Sequence, residues 1–448
     1  MKPVQKIAGD LAEGRTTSAA LVQSALERID DLAGEGRRTF VTVLRDQAKA
    51  AALSADLLRR AGIVPSPLSG LPISVKDLFD LAGLATTASS RILAGARPAM
   101  EDAAIVARLR AAGAVIVGRT NMTEFAYSGL GLNPHYDTPR NPWDRQIGRI
   151  PGGSSSGAAI SVTDGMAAAA IGSDTGGSVR IPAALCGLTG FKPTKGRHPM
   201  AGVLPLSTSL DTVGPLAPTV ECCWLVDRIM AGESPSAPPA VSIGSLRLAV
   251  ATTHMFDNIE WPVASAFQRA LSAISAAGAK LSNLPELDLN AVNVIGRQGN
   301  IISVEAFAWH RRLLEMRRDV YDPRVASRMD PGQRASAVEY VQAQEELRRR
   351  REESAALTRS FDAILLPTVA VVAPTIAELA DDEHYFRTNA LVLRNTAPAN
   401  WLNRCAISLP IHGPGEAPVG LMLMGETFGD SRLFAAAGAV ERAVAPLR

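Results

Sequence analysis

Three consecutive serines between glycines form the first group of residues that could carry out chemistry. The run Gly153–Gly157 reads G-S-S-S-G and matches G-x-S-x-G with Ser155 at its centre, the pattern of the nucleophile elbow in α/β-hydrolases. That elbow requires a strand before it, a helix after it, and an acid and a histidine further along the chain. None of the six histidines lies in a segment that indicates such a role, and no two have the spacing of metal ligands. The motif alone therefore does not establish a hydrolase of that type.

A fourth serine follows two glycines in the segment Gly172–Pro182, which reads G-S-D-T-G-G-S-V-R-I-P. Because Gly176 and Gly177 have no side chains, a substrate carbonyl could approach the main chain there and accept hydrogen bonds from its N–H groups. Ser178 is then a candidate nucleophile. The same pattern also fits a tight turn without chemistry, and a phosphate-binding loop lacks its usual glycine motif here.

A serine nucleophile needs a base, and Lys76 is the candidate that the sequence offers. The chain has seven lysines and 39 arginines, so it uses arginine, which does not deprotonate in proteins, wherever only a positive charge is needed. Lys76 ends the apolar segment Leu71–Val75, and burial would lower its pKa from about 10.4 toward neutral pH. The alternative is a structural lysine that reaches solvent or pairs with Asp77.

These motifs resemble the amidase signature family in order and in spacing. They are Gly70–Asp77, Pro151–Gly157 and Gly172–Arg180, followed by Ala183–Thr194, Ser209–Pro215 and, more loosely, Pro418–Leu421. The resemblance covers essentially the whole chain and is weakest between about residues 230 and 360. Its motifs are specific, since they lie in the same order and at the same spacing as in the family.

The resemblance implies a triad of two serines and a lysine that works without histidine. Ser178 would be the nucleophile, Lys76 the base, and Ser154, preceded by a cis peptide bond, the serine that bridges them. Neutral Lys76 would draw the proton of Ser178 through Ser154, and water would later hydrolyse the acyl-serine. No metal or organic cofactor is implied.

Further residues receive supporting roles by the same resemblance. The backbone donors to the oxyanion would come from Thr175, Gly176 and Gly177. Ser155 becomes a hydrogen-bonding residue rather than an elbow nucleophile. Asp174 and Arg180 would hold the nucleophile loop, although Arg180 could instead contact an acidic substrate.

The function implied by the resemblance is hydrolysis of the C–N bond of a small-molecule amide, and the same chemistry extends to anilides, some esters and carbamates (urethanes). The main alternative is the glutaminase (A) subunit of a tRNA-dependent amidotransferase, which would need a partner subunit. The sequence Arg180–Pro182 differs from the Arg-Gln-Pro common in those subunits and favours a free-standing amidase. A non-catalytic binding protein of the same fold is a third reading, and the presence of all three triad residues weighs against it.

The substrate pocket is expected around residues 122–132 and the loop 200–210, with contributions from residues 300–400. Four aromatic residues, Phe125, Tyr127, Trp309 and Trp401, either line this pocket or belong to the core. The identity of the substrate does not follow from these residues.

Short apolar strands alternate with helices in the part of the chain that carries the motifs. Thr17 or Ser18 can cap a helix, and Leu71–Lys76 and Ala114–Val117 are predicted strands. This alternation favours a layered α/β fold. The resemblance implies one domain, 1–448, in which helices cover both faces of a central mixed sheet; its signature core spans about 65–220 and a more variable pocket region about 230–400. Gly232–Ser245 is the one linker candidate.

The composition narrows the choice of partners and of compartment. Lys plus Arg exceeds Asp plus Glu by only two, so neither nucleic acid nor an anionic membrane is an expected partner. The expected partner is the small-molecule amide, and the chain is expected to be a monomer or a homodimer. The four cysteines have neither disulfide-framework nor zinc spacing, which favours a reducing compartment, and the first residues lack the apolar run of a secretion signal. Ala363–Ala377 is too short to span a bilayer. A cytoplasmic location is therefore expected.

Overall fold

The structure, a computed structural model, describes residues 1–251 and 254–447. In these ranges eleven strands form one sheet with the order β1-β3-β2-β4-β6-β5-β10-β11-β9-β7-β8. The strands are β1 (Phe40–Val43), β2 (Pro72–Lys76), β3 (Val115–Thr120), β4 (Ala169–Asp174), β5 (Thr189–Lys192), β6 (Thr212–Ala217), β7 (Arg247–Val250), β8 (Lys280–Asn283), β9 (Ala363–Pro367), β10 (Ala406–Pro410) and β11 (Gly420–Met424).

The sheet is mixed and its central strands are covered on both faces. β2 runs parallel to β3 and β4, and β7 runs parallel to β8 and β9, whereas the remaining pairs are antiparallel. Every residue of β2, β3, β4 and β6 is buried, as expected for strands between two layers of helices. The prediction of an α/β fold with a mixed sheet flanked by helices is confirmed.

The helices of the described residues range from one turn to six. They are α1 (Val4–Ala12), α2 (Ser18–Asp30), α3 (Gly36–Thr39), α4 (Arg45–Arg60), α5 (Ala104–Ala111), α6 (Ser156–Thr163), α7 (Arg180–Cys186), α8 (Val220–Ala231), α9 (Trp261–Ala276), α10 (Leu289–Gln298), α11 (Ile301–Arg317), α12 (Pro323–Arg334), α13 (Ala337–Thr358), α14 (Asp382–Arg394), α15 (Ala397–Trp401) and α16 (Asp430–Val444). The hydroxyl of Thr17 accepts a hydrogen bond from the N–H of Ala20 and so caps α2 as predicted. The predicted linker Gly232–Ser245 joins α8 to β7, which lies in the same sheet as the preceding strands.

The motifs converge at one edge of the sheet. Lys76 is the last residue of β2 and Asp174 the last residue of β4, and these two strands are parallel neighbours. Parallel strands end at the same edge, so the two side chains emerge close together. Ser154 and Ser178 lie in the loops just before α6 and α7, and those loops meet the same edge.

None of the helices in the described part of the chain has both the length and the apolar character required to cross a membrane.

Candidate active site

The side chain of Lys76 is completely enclosed and faces two serine hydroxyls. Its Nζ donates hydrogen bonds to Ser154 Oγ at 2.7 Å and to Ser173 Oγ at 2.8 Å. Burial lowers the pKa of Lys76 to about 7, although the nearby carboxylates of Asp174 and Asp211 oppose that shift. Much of the amine is therefore uncharged near neutral pH, as a proton acceptor requires.

The alternative reading of Lys76 as the ion-pair partner of Asp77 is not what the structure contains. One carboxylate oxygen of Asp77 lies 3.3 Å from the Arg119 guanidinium. The other oxygen accepts hydrogen bonds from the Thr87 hydroxyl and from the Ser89 N–H. The charge of Asp77 is thus balanced by Arg119, and Lys76 is left to the two serines.

Ser154 is held by main-chain contacts on both sides of its peptide bond. The Gly153–Ser154 peptide is cis, as the resemblance implies. The N–H of Gly153 donates to the carbonyl of Gly129 at 2.8 Å, and the carbonyl of Ser154 accepts from the N–H of Thr123 at 3.1 Å. A Cβ at Gly153 would lie 2.5 Å from the main-chain nitrogen of Gly131, so only glycine fits there.

Ser178 ends a glycine loop whose backbone is fixed from a distant part of the chain. Ser178 is 4% exposed, so it is nearly enclosed. Gly177 has a φ of 141°, and a Cβ there would come within 2.2 Å of Thr396 Oγ1. The same Thr396 hydroxyl donates to the carbonyl of Gly176 at 2.6 Å. The two loops touch each other, since the N–H of Ser155 donates to the carbonyl of Ser178 at 3.3 Å.

Asp174 and Arg180 form a buried ion pair behind this loop. Arg180 donates to the two carboxylate oxygens of Asp174 at 2.8 and 3.0 Å, and both side chains are fully buried. Burial alone would raise the pKa of Asp174, but Arg180 outweighs it and holds the value at about 2. Arg180 also donates to the Thr396 carbonyl and to Asn400 Oδ1. Its donors are therefore used within the protein, which supports a role in holding the loop and not a contact with an acidic substrate.

Sequence reasoning missed four residues that surround the site. Ser173 and Asp211 lie inside quoted motifs, and the sequence offered no sign that Ser173 would bind Lys76 or that Asp211 would bind Thr175. Thr396 and Asn400 lie at the end of the more variable region, about 230–400, and reach the loop from more than 200 residues away along the chain. No local pattern identifies contacts at such separation.

The four aromatic residues considered for the pocket divide into two groups. Phe125, Tyr127 and Trp401 are buried, and the Phe125 ring packs edge-on against His310 at 4.3 Å. Trp309 is 39% exposed. Core packing is therefore what the structure shows for the first three residues.

No set of three or more His, Cys, Asp or Glu side chains within residues 1–251 and 254–447 is arranged to hold a metal ion.

Comparison with known proteins identifies the family. Residues 20–434 match the family model described as Amidase. The 2-amino-5-chloromuconic acid deaminase of Comamonas testosteroni is 37% identical over 403 residues, which are 88% of this chain and 86% of that protein. The glutamyl-tRNA(Gln) amidotransferase A subunit of Chloroflexus aggregans is 33% identical over 470 residues, with 96% and 94% coverage.

Solved structures agree with the sequence comparisons. A crystal structure described as an amidase superposes with a TM-score of 0.90 at 32% sequence identity and covers 100% of both chains. Family match, relatives and superposition thus all extend over nearly the full length. The chain belongs to the amidase family, that is, the amidase signature enzymes, and it is a hydrolase that acts on carbon–nitrogen bonds.

Proposed function

We propose that this enzyme hydrolyses the C–N bond of small-molecule amides through an acyl-serine intermediate, with Ser178 as nucleophile, Ser154 as bridging serine and Lys76 as base. The observation that carries the proposal is the 2.7 Å hydrogen bond from Lys76 Nζ to Ser154 Oγ, made by a buried lysine whose pKa is lowered to about 7. A lysine in that state can accept a proton where an ordinary lysine cannot.

The proposed reaction moves one proton back and forth along this relay. As Ser178 Oγ attacks the amide carbon, its proton passes to Ser154 Oγ, and the proton of Ser154 passes to Lys76 Nζ. N–H groups of Thr175, Gly176 and Gly177 stabilise the oxyanion. The ammonium then returns the proton through Ser154 to the leaving nitrogen, the C–N bond breaks, and the amine departs. Water hydrolyses the acyl-serine by the same relay.

We extend the proposal to amides that carry a carboxylate. Arg328, in α12, has its guanidinium carbon 4.6 Å from the centre of the Tyr127 ring, and its buried Nε has no hydrogen-bond partner among the described residues. Tyr127 itself packs in the core, but it belongs to the segment 122–132 that is expected to line the pocket. An arginine with an unused Nε donor is suited to bind a carboxylate. The Comamonas testosteroni relative is named for an acid, which supports the same class.

A matched substrate panel tests both parts of the proposal. Amides, anilides, esters and carbamates are offered to the purified chain in pairs that differ only in a carboxylate, such as succinamic acid and butyramide. We expect the wild type to release amine or ammonia. In Ser178→Ala the rate of that release should fall at least about 10³-fold. Arg328→Met should lower kcat/KM about 10- to 100-fold for the carboxylated partner of each pair only. Near-normal turnover by folded Ser178→Ala overturns the assignment of the nucleophile.

The glutaminase subunit is the second candidate, because the A subunit of an amidotransferase is 33% identical to the chain over 96% of its length. That function predicts ammonia release from glutamine only when the other amidotransferase subunits are present. Amide hydrolysis by the isolated chain, with glutamine no better than other amides, argues for the free-standing enzyme.

A further inference from the structure

Asp211 is a buried carboxylate that forms no salt bridge within the described residues. One of its oxygens accepts a hydrogen bond from Thr175 Oγ1 at 2.5 Å. The other oxygen accepts the main-chain N–H groups of Leu206 at 2.9 Å and of Ser207 at 3.0 Å. All of these donors are neutral and the residue is 5% exposed, so its negative charge is not neutralised by an adjacent cation.

This carboxylate lies beside the end of the strand that also contacts Lys76. Thr212, the next residue after Asp211, pairs with Asp174 at the end of β4. Ser173, one position earlier on β4, accepts a hydrogen bond from Lys76, and Thr175, one position after Asp174, donates to Asp211. Lys76 and Asp211 therefore contact residues on either side of Asp174, and the charge of Asp211 opposes the lowering of the lysine pKa.

The other carboxylate near the lysine is already neutralised. Asp174 is bound at both oxygens by Arg180, and the buried Lys192 on β5 also favours its charged form. Lys192 is itself offset by the buried Asp430, whose charge favours the charged form of that lysine. With Lys76 neutral, the remaining group of Lys76, Asp174, Arg180 and Asp211 carries one surplus negative charge. With Lys76 protonated, the four charges balance. The relay must pass through protonated Lys76, and Asp211 balances the positive charge of that state.

We propose that Asp211 is the counter-charge that stabilises Lys76 while it holds the proton of the nucleophile, and that Asp211 positions the start of the oxyanion loop through Thr175. The inference rests on the proposed function, because it concerns the proton relay of that reaction. Burial raises the pKa of Asp211 to about 6 against the opposing hydrogen bonds from Thr175, Ser207 and Leu206. Asp211 is consequently ionised in most molecules in the range around pH 7 where Lys76 titrates.

Besides Lys195, whose Nζ donates to the Thr208 carbonyl at 2.7 Å, a further charged residue faces this region, Glu305 on α11. It accepts hydrogen bonds from Ser207 Oγ at 2.6 Å, from the N–H of Ser209 at 2.9 Å and from the Tyr340 hydroxyl at 2.7 Å. Burial would raise the pKa of Glu305, but these hydrogen bonds outweigh it and lower the value. Its negative charge raises the pKa of Asp211. Glu305 supplies a control, because it carries the same charge and contacts the same loop through other residues.

The test measures the pH dependence of Ser178 labelling by a fluorophosphonate, which needs no knowledge of the substrate. In this reaction Ser178 Oγ displaces fluoride from phosphorus and its proton passes through Ser154 to Lys76, so the rate falls when Lys76 is protonated. Loss of a nearby negative charge lowers the pKa of Lys76. In Asp211→Asn we expect the acid limb of the pH–rate profile, where labelling slows as Lys76 becomes protonated, to move to lower pH by about one unit. The maximal labelling rate should fall at least about tenfold. In Glu305→Gln the acid limb should stay within about 0.3 pH units of its position in the wild type.

Two more variants keep the inference testable if Asp211→Asn does not fold. Thr175→Val removes one donor to Asp211 and so raises its pKa, which should move the acid limb in the same direction by a smaller amount. Asp211→Glu keeps the charge and should return the limb to the wild-type position even with a reduced rate. An unmoved limb in Asp211→Asn or in its substitute Thr175→Val overturns the inference while Ser178-dependent activity upholds the proposed function. Absence of both labelling and amide turnover in the wild type overturns both.

Discussion

Lys76 Nζ lies 2.7 Å from Ser154 Oγ in a site that encloses the lysine completely. The geometry supplies what proton transfer needs, a short hydrogen bond and an amine whose pKa is lowered to about 7 by burial. The same burial has a thermodynamic cost, because a lysine in the unfolded chain titrates about three units higher. Function and stability should therefore respond in opposite directions when Lys76 is replaced.

Replacement of the lysine by an apolar residue should stabilise the fold. At pH 7 the unfolded chain favours protonated Lys76, whereas the folded chain favours it far less, so the wild type loses folding free energy. Lys76→Met removes this loss but leaves Ser154 and Ser173 without a hydrogen-bond donor. We expect a net gain of about 2 kcal/mol in the free energy of unfolding at pH 7, together with loss of activity.

Urea unfolding at several pH values checks the sign of this effect. The pKa of Lys76 is higher in the unfolded chain than in the folded chain. The resulting loss of unfolding free energy in the wild type is therefore fully present below about pH 7 and disappears as the pH rises toward 10.5. The stability difference between Lys76→Met and the wild type should shrink over that interval. A Lys76→Met protein that is less stable than the wild type at pH 7 contradicts the account of a desolvated amine.

The ion pair behind the nucleophile loop should be needed for folding. Arg180→Met leaves the charge of Asp174 buried without its partner, so we expect a loss of about 3–5 kcal/mol in unfolding free energy. The folded-state pKa of Asp174 is depressed to about 2, so this contribution is present above the ordinary aspartate pKa and is lost as the pH falls toward 2. Arg311→Met, which breaks the exposed pair with Glu315, is the matched control and should change stability by less than about 1 kcal/mol.

A methyl group at Gly177 should damage the nucleophile loop by contact rather than by backbone conformation alone. The added Cβ would lie 2.2 Å from Thr396 Oγ1, which itself binds the carbonyl of Gly176. Gly177→Ala should lower kcat at least about 10²-fold, because misplacement of the nucleophile by an ångström has an effect of that size. Gly196→Ala is the control, since Gly196 also has positive φ but open space around it. Equal activities of the two variants would exclude this role for the Thr396 contact.

The sequence indicated which segments form the candidate site, but not which distant residues contact those segments. Lys76, Ser154 and Ser178 lie in short motifs, and a helix cap such as Thr17 depends only on neighbours within one turn. The start of α13 at Ala337 is equally local, because Ser336 forms a capping box with Glu339.

The contacts that fix the nucleophile loop depend on the fold and not on local pattern. Thr396 and Asn400 reach Gly176, Asp174 and Arg180 only after the sheet has formed. The buried state of Lys76 was predicted from an apolar strand, but the second serine that binds it, Ser173, belongs to the neighbouring strand and requires the register of the sheet.

The most direct test of the account is the pH dependence of acyl-serine formation in the wild type, measured in a single turnover with intact-mass detection of the adduct. We expect the rate to fall below a midpoint near pH 7, because only neutral Lys76 can accept the proton through Ser154. A midpoint below about pH 5, or acylation at the wild-type rate in Lys76→Met, would contradict the claim that this lysine is the base.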